Sequence, residues 1–135
     1  MALAEGRVDC ILNGDTGANY ERRFVSGSGV TPPGTVGTAV QIDTTSLNLS
    51  AVHGASAPAS FFSVLRATMP GYADRAGFLS IEGQHAKPST VDVSMLVAVQ
   101  SMGWKSTAAV QSLRLFPDNA AANLDTGTRI IIYGR

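Results

Sequence analysis

Carboxylates, two histidines and one cysteine are the groups through which this chain would do chemistry. The sharpest arrangement among them is a repeated Asp-Thr-Gly, at 15–17 and again at 125–127. Two carboxylates at close range share a proton and serve as acid and base, the device of the aspartic proteases. There each Asp stands at the tip of an apolar strand. Asp15 instead follows Gly14 inside a turn, and only residues 126–135 follow Asp125, too few for a lobe. Both aspartates are therefore expected to accept hydrogen bonds from their own turns. His53 and His85 show no His-x-His or His-x3-His spacing, and a zinc site needs three or four ligands. They are expected in loops or on the surface, as candidate contacts for a partner. Asp118, Asn119, Asn123 and Asp125 would offer oxygens to calcium. Their spacing fits no EF-hand, and turn chemistry accounts for all four. No Gly-x-Ser-x-Gly elbow occurs, and no Gly-Lys-Ser/Thr follows the glycines of 26–37. Cys10 is alone, which excludes an internal disulfide and a cysteine zinc site within one chain, and it reads as a small buried apolar residue. The expectation is a chain without catalytic residues, metal or cofactor.

The elements that would hold these residues read as strands. Val8, Cys10 and Leu12 alternate with Asp9 and Ile11 and end at Asn13-Gly14, a strong turn signal. In 20–25, Tyr20, Arg22 and Phe24 face one way. Residues 26–37, SGSGVTPPGTVG, read as a long flexible surface loop. A short strand at 38–43 follows, then an ambiguous stretch, 44–60, which suits a short strand or a helical turn. Strands are expected at 61–68, closed by Pro70-Gly71, and at 76–82. The cleanest signal is 90–100: Val91, Val93, Met95, Val97 and Val99 share one face, opposite Asp92, Ser94, Leu96 and Ala98. Further strands are expected at 110–116 and 130–133. The valines and the Ile130–Ile132 run are expected to line the interior. About eight strands, and no helix of ten residues, predict a single domain, 1–135, folded as an all-β antiparallel two-sheet sandwich. Its architecture is expected to be jelly-roll-like, with two four-stranded sheets face to face.

Bulk charge narrows the function. Lys plus Arg equals Asp plus Glu at 10 each, and charged residues make up 15 % of the chain. Nucleic-acid binders carry basic faces, and the longest basic cluster here is Arg22-Arg23. No run of about 18 apolar residues appears, so no membrane-spanning helix is expected. A neutral, weakly charged surface resists self-association poorly, which points to a chain that works within an assembly. Trp104, between Gly103 and Lys105, suits either a core edge or an interface anchor.

Three segments in order carry a resemblance. Leu12-Asn13-Gly14-Asp15-Thr16-Gly17-Ala18-Asn19-Tyr20 resembles a loop near the start of small β-rich structural proteins of tailed bacteriophages. There an apolar strand ends in Asn-Gly-Asp and a Tyr opens the next strand. Gly103 to Val110, GWKSTAAV, with Ser112-Leu113-Arg114-Leu115-Phe116, resembles their penultimate strand. Thr126-Gly127-Thr128-Arg129, with Ile132-Tyr133-Gly134, resembles their closing strand. This resemblance implies a jelly-roll-like virion component at the virion surface that is not an enzyme. Its partners would be copies of itself and the major capsid or tail protein. The first expectation is a capsid decoration or cement protein acting as a homo-oligomer, with 26–37 reaching a neighbour. The alternative is a tail-fibre or spike head that binds a host glycan or receptor through Tyr72 and Trp104 beside His53 or His85.

Overall fold

Alternation at period two dominates the chain, and strands are what it builds. The structure, a computed structural model, describes residues 5–28, 35–53, 63–73, 77–88, 95–118 and 128–134. Eight strands run in order: β1 (Glu5–Leu12), β2 (Tyr20–Ser28), β3 (Thr35–Thr44), β4 (Leu47–His53), β5 (Val64–Thr68), β6 (Leu79–Pro88), β7 (Met95–Trp104) and β8 (Leu113–Pro117). No helix occurs among the described residues. One sheet has the order β4-β1-β8, the other β3-β2-β7-β6-β5, and every pairing is antiparallel. The two sheets pack together as a sandwich. β1 pairs with β8 in one sheet while β2 pairs with β7 in the other. The first two strands thus fold over against the last two, and this is the jelly-roll-like feature of the topology.

A tight turn makes the first crossing between sheets. Asn13 and Gly14 both have positive φ, 52° and 70°, and the Asp15 amide donates to the Leu12 carbonyl at 2.9 Å. Asn and Gly are the residues that accept this left-handed backbone at least cost. The core beneath is built from both sheets: Cys10, Leu12, Leu47 and Leu49 against Tyr20, Leu79, Ile81, Met102 and Trp104. Leu65, Met69, Val110, Leu113 and Leu115 close its edges.

The expected four-plus-four division is three plus five. The ambiguous stretch supplies β4, paired with β1 from Glu5↔His53 to Cys10↔Leu47. Ile130 to Tyr133 lie in no strand and are exposed, so the closing run does not line the interior. An apolar run records affinity for an apolar surface and leaves open which surface. The expected loop at 26–37 is also shorter than its composition implied: Ser26↔Gly37, Gly27↔Val36 and Ser28↔Thr35 are paired, and 29–34 lie outside the described residues. Hairpin pairing overrides the weak strand propensity of Gly and Ser.

The largest correction concerns β7. Ala98, Gln100, Met102 and Trp104 point inward, while Met95, Val97 and Val99 point outward and are 49, 51 and 58 % exposed. Val91 and Val93 lie outside the described residues. Periodicity groups residues onto faces but does not say which face is buried. The inner face carries Met102 and Trp104, and a Trp side chain buries more area than a valine.

This parity makes a stability prediction. Ile81→Ala should cost about 3 kcal/mol, and Val99→Ala less than about 1 kcal/mol, in urea unfolding. Equal costs at the two positions would contradict the assignment of faces.

Candidate functional site

Asp15, the residue that most invited a catalytic reading, is a structural pin. Its Oδ1 accepts from the Gly17 amide at 2.9 Å and its Oδ2 from Trp104 Nε1 at 2.8 Å. Asn19 Nδ2 donates to both oxygens, at 3.1 and 3.0 Å. The Trp104 hydrogen bond, then that of Gly17, holds the Asp15 carboxyl below the usual carboxylate range. A carboxylate so stabilised is a weak base, and its partners are the donors of its own loop plus one indole. Asp125 lies outside the described residues. Tyr20 completes the arrangement: its hydroxyl donates to the Asp15 carbonyl at 2.9 Å and accepts from the Leu12 amide at 3.1 Å. Its ring stacks on Trp104, with centroids 6.5 Å apart and planes at 14°.

Asp118 engages Arg7. Its Oδ1 accepts from the Arg7 amide at 3.2 Å, and its Oδ2 lies 3.4 Å from Arg7 Nε. Asn119, Asn123 and Asp125 lie outside the described residues. Among the described residues, no three His, Cys, Asp or Glu side chains are grouped to hold a metal ion. Burial, with Asp9 adding to it, pushes the Cys10 thiol up to about 12, so it is inert as well as enclosed.

The four expected partner contacts do not form one surface. Trp104 and His85 are buried on the inward faces of β7 and β6, which corrects their reading as exposed contacts. Trp104 is drawn in by its stacking and its hydrogen bond. His85 falls on the inward parity of β6, whose burial alternates strictly from Leu79 to His85. Tyr72 is half-buried, and its carbonyl accepts from the Val110 amide at 2.8 Å. His53 ends β4, opposite Glu5.

One end of the sandwich interior is polar, a feature that single-residue reading missed. Arg22, Asn48, Ser50, His85, Lys87 and Gln100 are all buried. Arg22 spans the sheets: its Nε donates to Gln100 Oε1 at 2.7 Å and its NH1 to Asn48 Oδ1 at 2.5 Å. Its guanidinium lies 4.2 Å from the centroid of the Phe24 ring. Gln100 Nε2 in turn donates to the Leu49 carbonyl. Asn48 Nδ2 donates to Asp9 Oδ1 at 3.2 Å, and Ser46 Oγ to Asp9 Oδ2 at 2.6 Å. Desolvation, and then Arg7, push the Arg22 guanidinium down to about 10. Asp9 is raised, chiefly by its own burial. The signal available beforehand was Arg22 sharing a face with Tyr20 and Phe24. A charged residue between two aromatic neighbours at period two has to be enclosed if they are.

The outer face of the five-stranded sheet carries many of the exposed hydrophobic side chains. Register sets its side chains in rows. One row crosses Val40, Arg23, Ser101, Glu82 and Thr68, and the next Thr38, Val25, Val99, Gln84 and Arg66. The third crosses Val36, Gly27, Val97, Ala86 and Val64, with Met95 and Pro88 beyond it. Val25, Val36, Val40, Val64, Met95, Val97 and Val99 are all exposed. Scattered surface valines need no explanation, but a contiguous set on one sheet face marks an interaction surface.

No protein-family model, curated protein or solved structure matches the chain.

The buried imidazole makes a pH prediction. Burial first, then the charges of Arg22 and Lys87, hold His85 below its ordinary value of 6.5. As pH falls through that value the unfolded chain takes up a proton before the folded one, so this contribution is complete above it and declines below it. Asp9, raised from 3.8, acts in the opposite sense, so the His85 share is read as a difference between proteins. Urea midpoints should fall between about pH 7.5 and about pH 5.5, and His85→Gln should flatten the decline. An equal slope in the two proteins would contradict this.

Proposed function

We propose that the chain is a non-enzymatic structural protein of a bacteriophage virion that decorates or cements the capsid surface as a homo-oligomer. Its partners are copies of itself and the major capsid protein. The observation that carries this reading is the outer face of the five-stranded sheet: exposed, rich in valine and held on a framework pinned from within. Such a face is suited to adhesion rather than to chemistry. The segments behind the phage resemblance support it further, because two of them are knitted together. Asn13 Nδ2 donates to the Ala109 carbonyl at 2.8 Å, and Asn13 Oδ1 accepts from the Gln111 and Ser112 amides at 2.7 and 3.0 Å. The Lys105 amide donates to the Asn19 carbonyl at 2.8 Å. The motif residues thus specify one local structure, the joint between the first loop and the connector that runs from β7 to β8. No helix among the described residues is long and apolar enough to cross a membrane.

The receptor-binding alternative calls for neighbouring exposed aromatics. Trp104 and His85 are buried and so do not contribute to such a platform.

Quantitative mass spectrometry of gradient-purified virions of the encoding phage, with immunogold labelling of the intact particles, tests the proposal. The protein should be present in a fixed ratio to the major capsid protein, with label spread over the shell. Absence from purified particles, or label confined to the tail tip, would overturn the capsid assignment.

A further inference from the structure

We propose that the outer face of the five-stranded sheet packs against the same face of a second copy, about a two-fold axis running along β7. This deepens the homo-oligomer part of the reading above and rests on it only there; attachment to a capsid is not required.

Strand order makes the face self-complementary. β7 is the middle strand of β3-β2-β7-β6-β5. A two-fold axis along it, lying between two such faces, sets β2 over β6 and β3 over β5 of the other copy and keeps each row in place. Val97 and Val99 then meet their own counterparts on the axis. In the row of Val97, Val36 faces Val64 of the second copy, and Gly27 faces Ala86, small against small. Two rows away, Arg23 faces Glu82 of the second copy, and by symmetry Glu82 faces Arg23. The one basic and one acidic side chain of that row are thus brought opposite each other twice. Within a single chain they flank Ser101, and Arg23 instead reaches Glu21 at 3.2 Å. Aligned sheets pack about 10 Å apart with their strands within about 30° of each other, a range that includes this parallel arrangement.

The size also suits a dimer. Five strands at about 4.8 Å spacing and four rows at about 6.8 Å give about 650 Å² of flat area. Side-chain relief adds to this, and a stable interface buries about 800 Å² per partner. A membrane or a nucleic acid would call for an excess of one charge on the rim. Here Arg23 and Arg66 balance Glu21 and Glu82, as a self-complementary contact requires.

Sedimentation equilibrium of the full chain tests this, with circular dichroism confirming that each variant keeps the fold. The wild type should sediment as a dimer at micromolar concentration. Arg23→Glu and Glu82→Arg should each weaken dimerisation about tenfold or more, through like charges brought face to face. The double variant R23E/E82R should recover to within about threefold of the wild type, because the pair is restored with its signs exchanged. Val97→Glu should weaken the dimer about a hundredfold by placing two carboxylates on the axis. Thr38→Arg, set opposite Arg66 of the second copy, is an independent probe and should weaken it as well. A wild type that stays monomeric at about 100 μM, a dimer indifferent to V97E, or a double swap no tighter than its parents would overturn the proposal. In the first case the face would be covered by a different virion protein, and the virion reading would stand without this interface.

Discussion

A guanidinium enclosed between two sheets constrains everything else in this molecule. Arg22 has to keep its hydrogen bonds, because an ionised group left unpaired away from water is far more costly than any one packing contact. Its acceptors are neutral amides, Gln100 on the neighbouring strand of its own sheet and Asn48 on the opposite sheet. That ties β2, β7 and β4 together at one point. Side chains alternate along a strand, so fixing Gln100 inward also turns Val97, Val99 and Ser101 outward. A register slip of one residue in β7 would bury the valines but expel Gln100 and Trp104 and take from Arg22 one of its two acceptors. The exposed apolar face is thus the counterpart of the buried polar one.

The far end of the sandwich is held differently. There Tyr20 and Trp104 stack over an apolar cluster, and the Asp15 carboxylate locks the first loop to the end of β7. The two ends divide the labour, with aliphatic and aromatic burial at one and a hydrogen-bonded network at the other. Such a network rigidifies only when its members are satisfied. His85 Nδ1 is buried without a hydrogen-bond partner, so the polar end is also the end at which acid would loosen the sandwich.

Much of this was legible in the sequence. The alternation of Val8, Cys10 and Leu12, the Asn13-Gly14 turn and the common face of Tyr20, Arg22 and Phe24 all reappear, as does the role of Asp15 as an acceptor within its own loop. The all-β two-sheet sandwich follows from those signals. What was not legible depends on contacts between distant residues. The valine face of β7 carries the better apolar pattern, yet Met102 and Trp104 on the other face decide the burial. His85 looks like a surface residue until the strict alternation of β6 is extended to it. The Ile130–Ile132 run shows that hydrophobicity alone does not assign a strand its place in a sheet. The proposed capsid role rests on residue patterns in loops and on the chemistry of one face.

The most direct measurement of the central claim is thiol reactivity at three adjacent positions of β7, with Val97, Ala98 and Val99 each changed to cysteine in turn. The native Cys10 is enclosed and contributes no background. In dilute solution the cysteines at 97 and 99 should react rapidly with a maleimide and the one at 98 slowly. At high concentration those at 97 and 99 should become protected while that at 98 stays unchanged. A reactive cysteine at 98 beside protected ones at 97 and 99 at every concentration would mean that the valines line the interior, and the account would be wrong.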